Sequence, residues 1–339
     1  MDIVNTKDEI ADILDGHAPK GLSPPVLMTQ TGTVEQMEAC GAYWPDAHYD
    51  PALMVRLALQ PSELFGFATA RVPYDITEEA EALGCTVSQG RKDSQPAVTA
   101  SPWRYLGYVP PVPDDLVSAE EMMSSPRVRT VIEAAERIHD VRQDLFLTAN
   151  CLPSGGVLAH MLGFETMIMG GFMTPELVEE WMDRLIPYCS AYAEALSEVS
   201  DCVCVITEVQ ADLTSPEINR MTVGKERRVF DSIRCSYRMI HNCGNTLPFT
   251  EDLVSLRPDV LSLETSSDPK AYLEAIGGSC VTLGCINPVK ELLQGTPDII
   301  RRKALESSEM GFDLIGPECG VPPRTPNANL KALAAYREP

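Results

Sequence analysis

The strongest constraint on this chain is a rhythm: short apolar, β-rich runs separated by longer stretches with helical periodicity. Eight such runs stand out, at Pro25–Thr29, Phe67–Val72, Asp144–Thr148, Cys202–Thr207, Tyr237–Ile240, Val260–Leu263, Cys280–Leu283 and Phe312–Ile315. Most are apolar throughout rather than alternating, the pattern of parallel strands covered on both faces. Between them, Thr174-Pro175-Glu176-Leu177 opens a helix, with Thr as N-cap, Pro in the first turn and an acid next. Apolar residues then recur at Val178, Trp181, Met182, Leu185, Ile186 and Tyr188. Thr296-Pro297-Asp298-Ile299 repeats that start signal before a stretch ending near Gly311. Strands alternating with helices eight times predict an α/β fold, a (β/α)8 TIM barrel, with a doubly wound sheet as the alternative. No low-complexity linker or internal repeat breaks the pattern. Residues 1–339 are therefore expected to form a single domain, with an irregular N-terminal extension over 1–23.

Composition narrows the function. A net charge of -22 argues against nucleic acid, whose phosphates need a basic surface, and against an anionic membrane. Eleven cysteines, an odd number scattered singly along the chain, do not form a secreted disulfide framework and are expected to be reduced thiols. The first residues show no charged-then-apolar signal pattern, and no run reaches the length of a membrane span. A soluble, cytoplasmic protein is expected.

Four residues carry the candidate chemistry. His241 and Cys243 follow the run ending at Ile240, Glu264 follows Leu263, and Cys319 follows Ile315. Each falls just past the carboxyl end of a predicted strand, where the βα loops of a barrel gather around its active site. One imidazole and two thiolates make a three-ligand zinc set, and three protein ligands leave a position open for water or substrate. Two thiolates bring the charge of such a site near zero, so it is a weak acid toward water. It suits a substrate thiol, which loses its proton on binding yet keeps a nucleophilic sulfur. Alkyl transfer to sulfur is then expected rather than hydrolysis, and without substrate the open position would hold water or a weak carboxylate ligand, for which Glu264 is well placed. A packing role for these residues stays open on the residues alone, because free cysteine is often simply buried. Cys280 and Cys285 are read as core residues, and His139 and His160 as surface or packing positions within helices. His48, in the aromatic turn Tyr43-Trp44-Pro45-Asp46-Ala47-His48, is read as a possible cover over the barrel mouth. The pairs Gly155-Gly156 and Gly170-Gly171 lack the spacing of a phosphate loop.

His-x-Cys-Gly-Asn-Thr at 241–246 and Glu-Cys-Gly-x-Pro-Pro-x-Thr-Pro-x-x-Asn-Leu-Lys-Ala-Leu at 318–333 resemble the methylcobalamin:coenzyme M methyltransferases. These belong to the uroporphyrinogen decarboxylase superfamily. Thr29-Gln30-Thr31-Gly32-Thr33, Gly41-Ala42-Tyr43-Trp44-Pro45, Arg71-Val72-Pro73-Tyr74-Asp75-Ile76-Thr77 and Gln95-Pro96-Ala97-Val98 extend the likeness. It covers residues 20–100 and 200–335 well and residues 101–200 poorly. The resemblance implies a (β/α)8 barrel in which His241, Cys243 and Cys319 bind Zn2+ and Glu264 is the displaceable fourth ligand. It also implies a corrinoid protein as partner, supplying methylcobalamin, and coenzyme M as the methyl-accepting thiol. Two further departures are visible: Ser215–Ser236 reads as shortened, and Glu318 stands where that family usually has a glycine before the last cysteine. No arginine occurs in Val26–Gly32, where the decarboxylases hold a tetrapyrrole's carboxylates, so decarboxylation is not expected. The expected function is zinc-dependent methyl transfer from a methylated corrinoid protein to a small thiol. The alternatives are a non-catalytic corrinoid- or tetrapyrrole-binding barrel, and transfer to a different acceptor, another thiol or a pterin or folate.

Overall fold

The computed structural model describes residues 5–104, 108–207 and 211–338. Seven strands form one parallel sheet: β1 (Thr69–Val72), β4 (Phe146–Cys151), β5 (Cys202–Thr207), β6 (Tyr237–Asn242), β7 (Val260–Leu263), β8 (Val281–Ile286) and β9 (Leu314–Pro317). They are hydrogen-bonded in the order β1-β4-β5-β6-β7-β8-β9, so every barrel strand lies beside its successor in sequence. β1, β4, β5, β7 and β9 are buried along their whole length. Burial on both faces is why their sequences are apolar throughout. A separate antiparallel pair, β2 (Thr86–Ser88) and β3 (Ala97–Ala100), lies between the first two barrel strands. Its residues are mostly exposed, so it lacked the apolar signature that marked the others.

The eighth barrel position is taken by the chain around Pro25. It is not a full strand. Pro25 makes a single parallel bridge to Ile315 of β9, closed by Val26 N–H donating to Ile315 O (2.8 Å) and Ile315 N–H to Pro24 O (3.0 Å). On the other side Leu27 N–H donates to Thr69 Oγ1 of β1 (3.1 Å). The segment thus joins the last strand to the first and curls the sheet into a (β/α)8 TIM barrel. Gly316 makes the close approach possible, because a Cβ there would lie 2.7 Å from Val26 O.

Residues 5–22 are irregular apart from one two-turn helix, Lys7–Leu14. It is tied to the far end of the chain by Arg337–Glu9 (2.6 Å). The helix predicted from Thr174-Pro175 runs Pro175–Ser197, with Trp181, Met182 and Leu185 fully buried. Thr174 occupies the N-cap position without making the capping hydrogen bond. The second helix, Pro297–Met310, ends at Gly311 in the left-handed conformation, as its sequence predicts. No single helix among the described residues is long and apolar enough to cross a membrane. Ser154–Leu162 and Phe164–Met173 reach that length together but are bent by 110°.

Candidate functional site

The sequence reading put His241 after its strand, whereas β6 continues to Asn242 and includes it. Strand geometry therefore fixes the histidine. Its register partner on β7 is Ser262, and Ser262 Oγ lies 3.0 Å from His241 Nδ1. That contact leaves Nε2 facing Cys243 Sγ at 3.2 Å. The neighbouring Asn242 donates from Nδ2 to Thr207 Oγ1 on β5 (2.5 Å), so the strand end is held from both sides.

Cys319 arrives from the other side of the barrel, two residues past β9. Its sulfur lies 3.0 Å from Cys243 Sγ. One nitrogen and two sulfurs, from His241, Cys243 and Cys319, lie within 4.8 Å of one another. The hydrogen bond from Cys243 and the adjoining His241 ring pull the Cys319 thiol down to about 4, against the opposing effect of burial. Thiols lowered in this way are the ones that bind metal. A nitrogen-and-sulfur donor set suits zinc, and a ring nitrogen held by a second residue is how ligating histidines are usually oriented.

Glu264, just past β7, stands outside this three-residue group. It is half-buried, and its carboxyl accepts from the Gly244 amide in the loop that carries Cys243. Burial pushes its pKa up, and the nearby Cys319 adds to the shift. Cys285 is buried and Cys280 half-buried, both apart from this group, in keeping with a packing role. His139 is exposed on its helix, and burial lowers His160 to about 4. His48 does not cover the mouth. It is fully buried, 2.8 Å from Asp75 and packed against Trp44 and Tyr74. Gly155-Gly156 and Gly170-Gly171 lie within helices, where their small size admits neighbouring side chains.

The three donors line a cleft of about 420 Å³, together with Thr29, Gln30, Arg71 and the β2–β3 loop residues Asp93, Ser94 and Gln95. Sequence reasoning gave none of these a role in the site. Arg71 had one visible signal, a cation inside an otherwise apolar strand. Glu318 was also missed. It is buried, and its carboxyl oxygens accept from Ser266 N–H (2.7 Å), Ser266 Oγ–H (2.6 Å) and Asn287 Nδ2 (2.8 Å). The residue next to Cys319 thus braces the loops that follow β7 and β8.

The family described as Uroporphyrinogen decarboxylase (URO-D) matches residues 5–338. The methylcobamide:CoM methyltransferase MtaA of Methanosarcina barkeri is 30% identical, over 98% of this chain and 97% of the relative. In the Fusaro strain the protein of the same name is 31% identical with the same coverage. The methylcobamide:CoM methyltransferase MtbA of Methanosarcina acetivorans is 28% identical over 93% of this chain and 92% of its own. A solved methyltransferase from Methanosarcina mazei superposes with a TM-score of 0.88 at 31% identity, covering 98% of both chains. The likeness therefore runs through residues 101–200 as well, where motifs alone did not carry it. With one family spanning nearly the whole chain and relatives this similar across it, the chain belongs to the uroporphyrinogen decarboxylase (URO-D) family, beside its methylcobamide:CoM methyltransferases.

Proposed function

We propose that this chain transfers a methyl group from a methylated corrinoid protein to a small thiol such as coenzyme M, using zinc held by His241, Cys243 and Cys319. The observation that carries this reading is the convergence of one imidazole nitrogen and two cysteine sulfurs within 4.8 Å at the barrel rim. The names of the similar proteins supply the methyl donor and the acceptor. Bound there, zinc would lower the pKa of a substrate thiol, while two thiolate ligands keep that sulfur electron-rich.

The chain's own residues orient and enclose. Ser262 holds the His241 ring so that Nε2 faces the thiols. Glu264 is read as the weak fourth ligand, steadied by the Gly244 amide and disfavoured as a charge by burial, which suits a group that gives way to substrate. The substrate sulfur would bond to the methyl carbon of the corrinoid substrate as its cobalt–carbon bond breaks. Both electrons of that bond would stay on cobalt, giving a thioether and Co(I), and the thiol proton would pass to solvent. The match of one family from residue 5 to 338 also supports reading 1–339 as one domain.

The test is metal content measured together with thiol-dependent demethylation of methylcobalamin, across a panel of thiols. About one tightly bound zinc per chain is expected, lost along with activity in Cys243→Ala and in Cys319→Ala. Full zinc occupancy and full rate in Cys319→Ala would refute the reading.

A further inference from the structure

Apolar side chains crowd one face of this strongly acidic protein. Of the eleven large apolar residues exposed among the described ones, six fall together: Phe164, Met169, Phe172 and Met173 on one helix, with Tyr108 and Leu213 beside it. That helix is Phe164–Met173, and three of its ten residues are methionine. It stands between two clefts. Phe164 lines one with Leu213, while Met169 and Met173 line the other, of about 430 Å³, with Tyr108. Met173 alone is 73% exposed. Single exposed apolar residues are ordinary, but a continuous run of them marks a surface that something else covers.

The patch lies at the same end of the barrel as the His241–Cys243–Cys319 group. Its bent helix pair opens at Ser154, just after β4 ends at Cys151. Leu213 lies in the segment that follows β5, and that segment is bonded to the loop carrying Cys243. Ala211 N–H donates to Asn245 O (2.8 Å), and Asn245 Nδ2 donates to Asp212 Oδ1 (3.4 Å). A body resting on the patch is therefore seated beside the cleft. Building on the proposed function, we infer that the Phe164–Met173 face is the docking surface for the methylated corrinoid protein. Charge selects this occupant. Four exposed acids, Glu165, Glu176, Asp212 and Glu217, edge the patch against two exposed bases, Arg104 and Arg220. A second copy of this chain would bring the same acids, and an anionic membrane would be repelled as well. The partner's complementary face is apolar with a basic edge. Methionines suit a partner that leaves after every turnover, because their flexible side chains re-pack without a fixed fit.

The experiment compares two methyl donors at saturating coenzyme M: free methylcobalamin, and a Methanosarcina barkeri corrinoid protein loaded with methylcobalamin. Phe172→Lys and Met173→Lys each put a charge on the patch. Leu305→Lys, on the helix Pro297–Met310 that packs against β8 and β9, is the control. KM for the protein-bound donor is expected to rise about 10–100-fold in both patch variants and to stay constant in the control. Turnover of free methylcobalamin, which needs no footing, should be unchanged in all three and shows that each variant is folded. Glu165→Lys should raise the same KM by a smaller factor that shrinks with added salt. An unchanged KM in both patch variants overturns the assignment, as does a wild-type protein that uses only the free donor. A wild-type dimer dissociated by Met173→Lys, or binding to phosphatidylcholine vesicles lost in that variant, overturns it in favour of the other occupant. Calorimetry of the loaded corrinoid protein separates the two readings. Binding that needs the patch, in a protein that methylates no thiol, would leave the docking surface standing and remove the proposed reaction. Absence of both binding and turnover would remove both.

Discussion

Glu318 decides how firmly Cys319 is held, and it does so through residues far away in sequence. Ser266 is 52 positions distant and Asn287 31, yet both donate to its carboxyl oxygens. Glu318→Ala would take the shared acceptor from up to three part-buried donors. A loss of roughly 2–4 kcal/mol of folding stability is expected, with zinc affinity weakened about 10–100-fold. Glu318→Gln, whose single amide oxygen can still accept from Ser266 Oγ and Asn287 Nδ2 but not from the Ser266 N–H, should recover part of both. Denaturant unfolding and a competitive metal titration check this, and an alanine variant with wild-type metal affinity would sink the bracing role. No reading of residues one by one could show it, because an acid beside a cysteine in a turn looks like solvent-facing polarity. His241, Cys243 and Cys319 were legible for the opposite reason. An imidazole and two thiols each fell just past the end of a predicted strand, which placed all three at one rim.

Strands were legible where burial on both faces made them uniformly apolar, and illegible where it did not. The runs Cys202–Thr207 and Val260–Leu263 coincide with β5 and β7, and the remaining parallel strands begin and end within three residues of the apolar runs. The β2–β3 hairpin escaped notice because its residues face water, yet it carries Asp93, Ser94 and Gln95 to the cleft. Pro25–Thr29 shows a third case: an apolar run that lies in the eighth barrel position but pairs through one bridge only. Pro24 and Pro25 have no amide hydrogens to give to a ladder, which limits pairing at that point. The seam should accordingly be sensitive to crowding. Gly316→Ala, whose added carbon would meet Val26 O at 2.7 Å, is expected to cost roughly 1–3 kcal/mol. Amide exchange at Val26 and Leu27 should rise more than exchange in β5. Uniform exchange across the sheet in that variant would show that the seam is not the weak edge.

At the scale of the molecule, a buried acidic cluster beside β1 ties stability to pH. Burial, with added repulsion from Asp75, raises Glu79 from 4.5 to about 7, and burial raises Glu78 well above the usual carboxylate range. Both residues therefore keep protons in the folded state that the unfolded chain releases near its ordinary carboxylate pKa. Stability from these groups is full below about 4.5 and declines as pH rises toward 7. Glu79→Gln should stabilise the protein more at pH 8 than at pH 5, by a difference on the order of 2 kcal/mol. Urea unfolding at the two values measures it, and an equal effect at both would exclude Glu79 as the titrating group.

The two sulfurs carry one more consequence of the curled sheet. β6 and β9 are three places apart in strand order, which in a flat sheet would separate them by about 14 Å. Cys243 Sγ and Cys319 Sγ are 3.0 Å apart. The thiol pair is the short chord of an arc whose length is set by β7 and β8. Its span is therefore a calliper on curvature, and a distance probe at these two positions would register flattening of the barrel wall even where every strand-to-strand hydrogen bond survived.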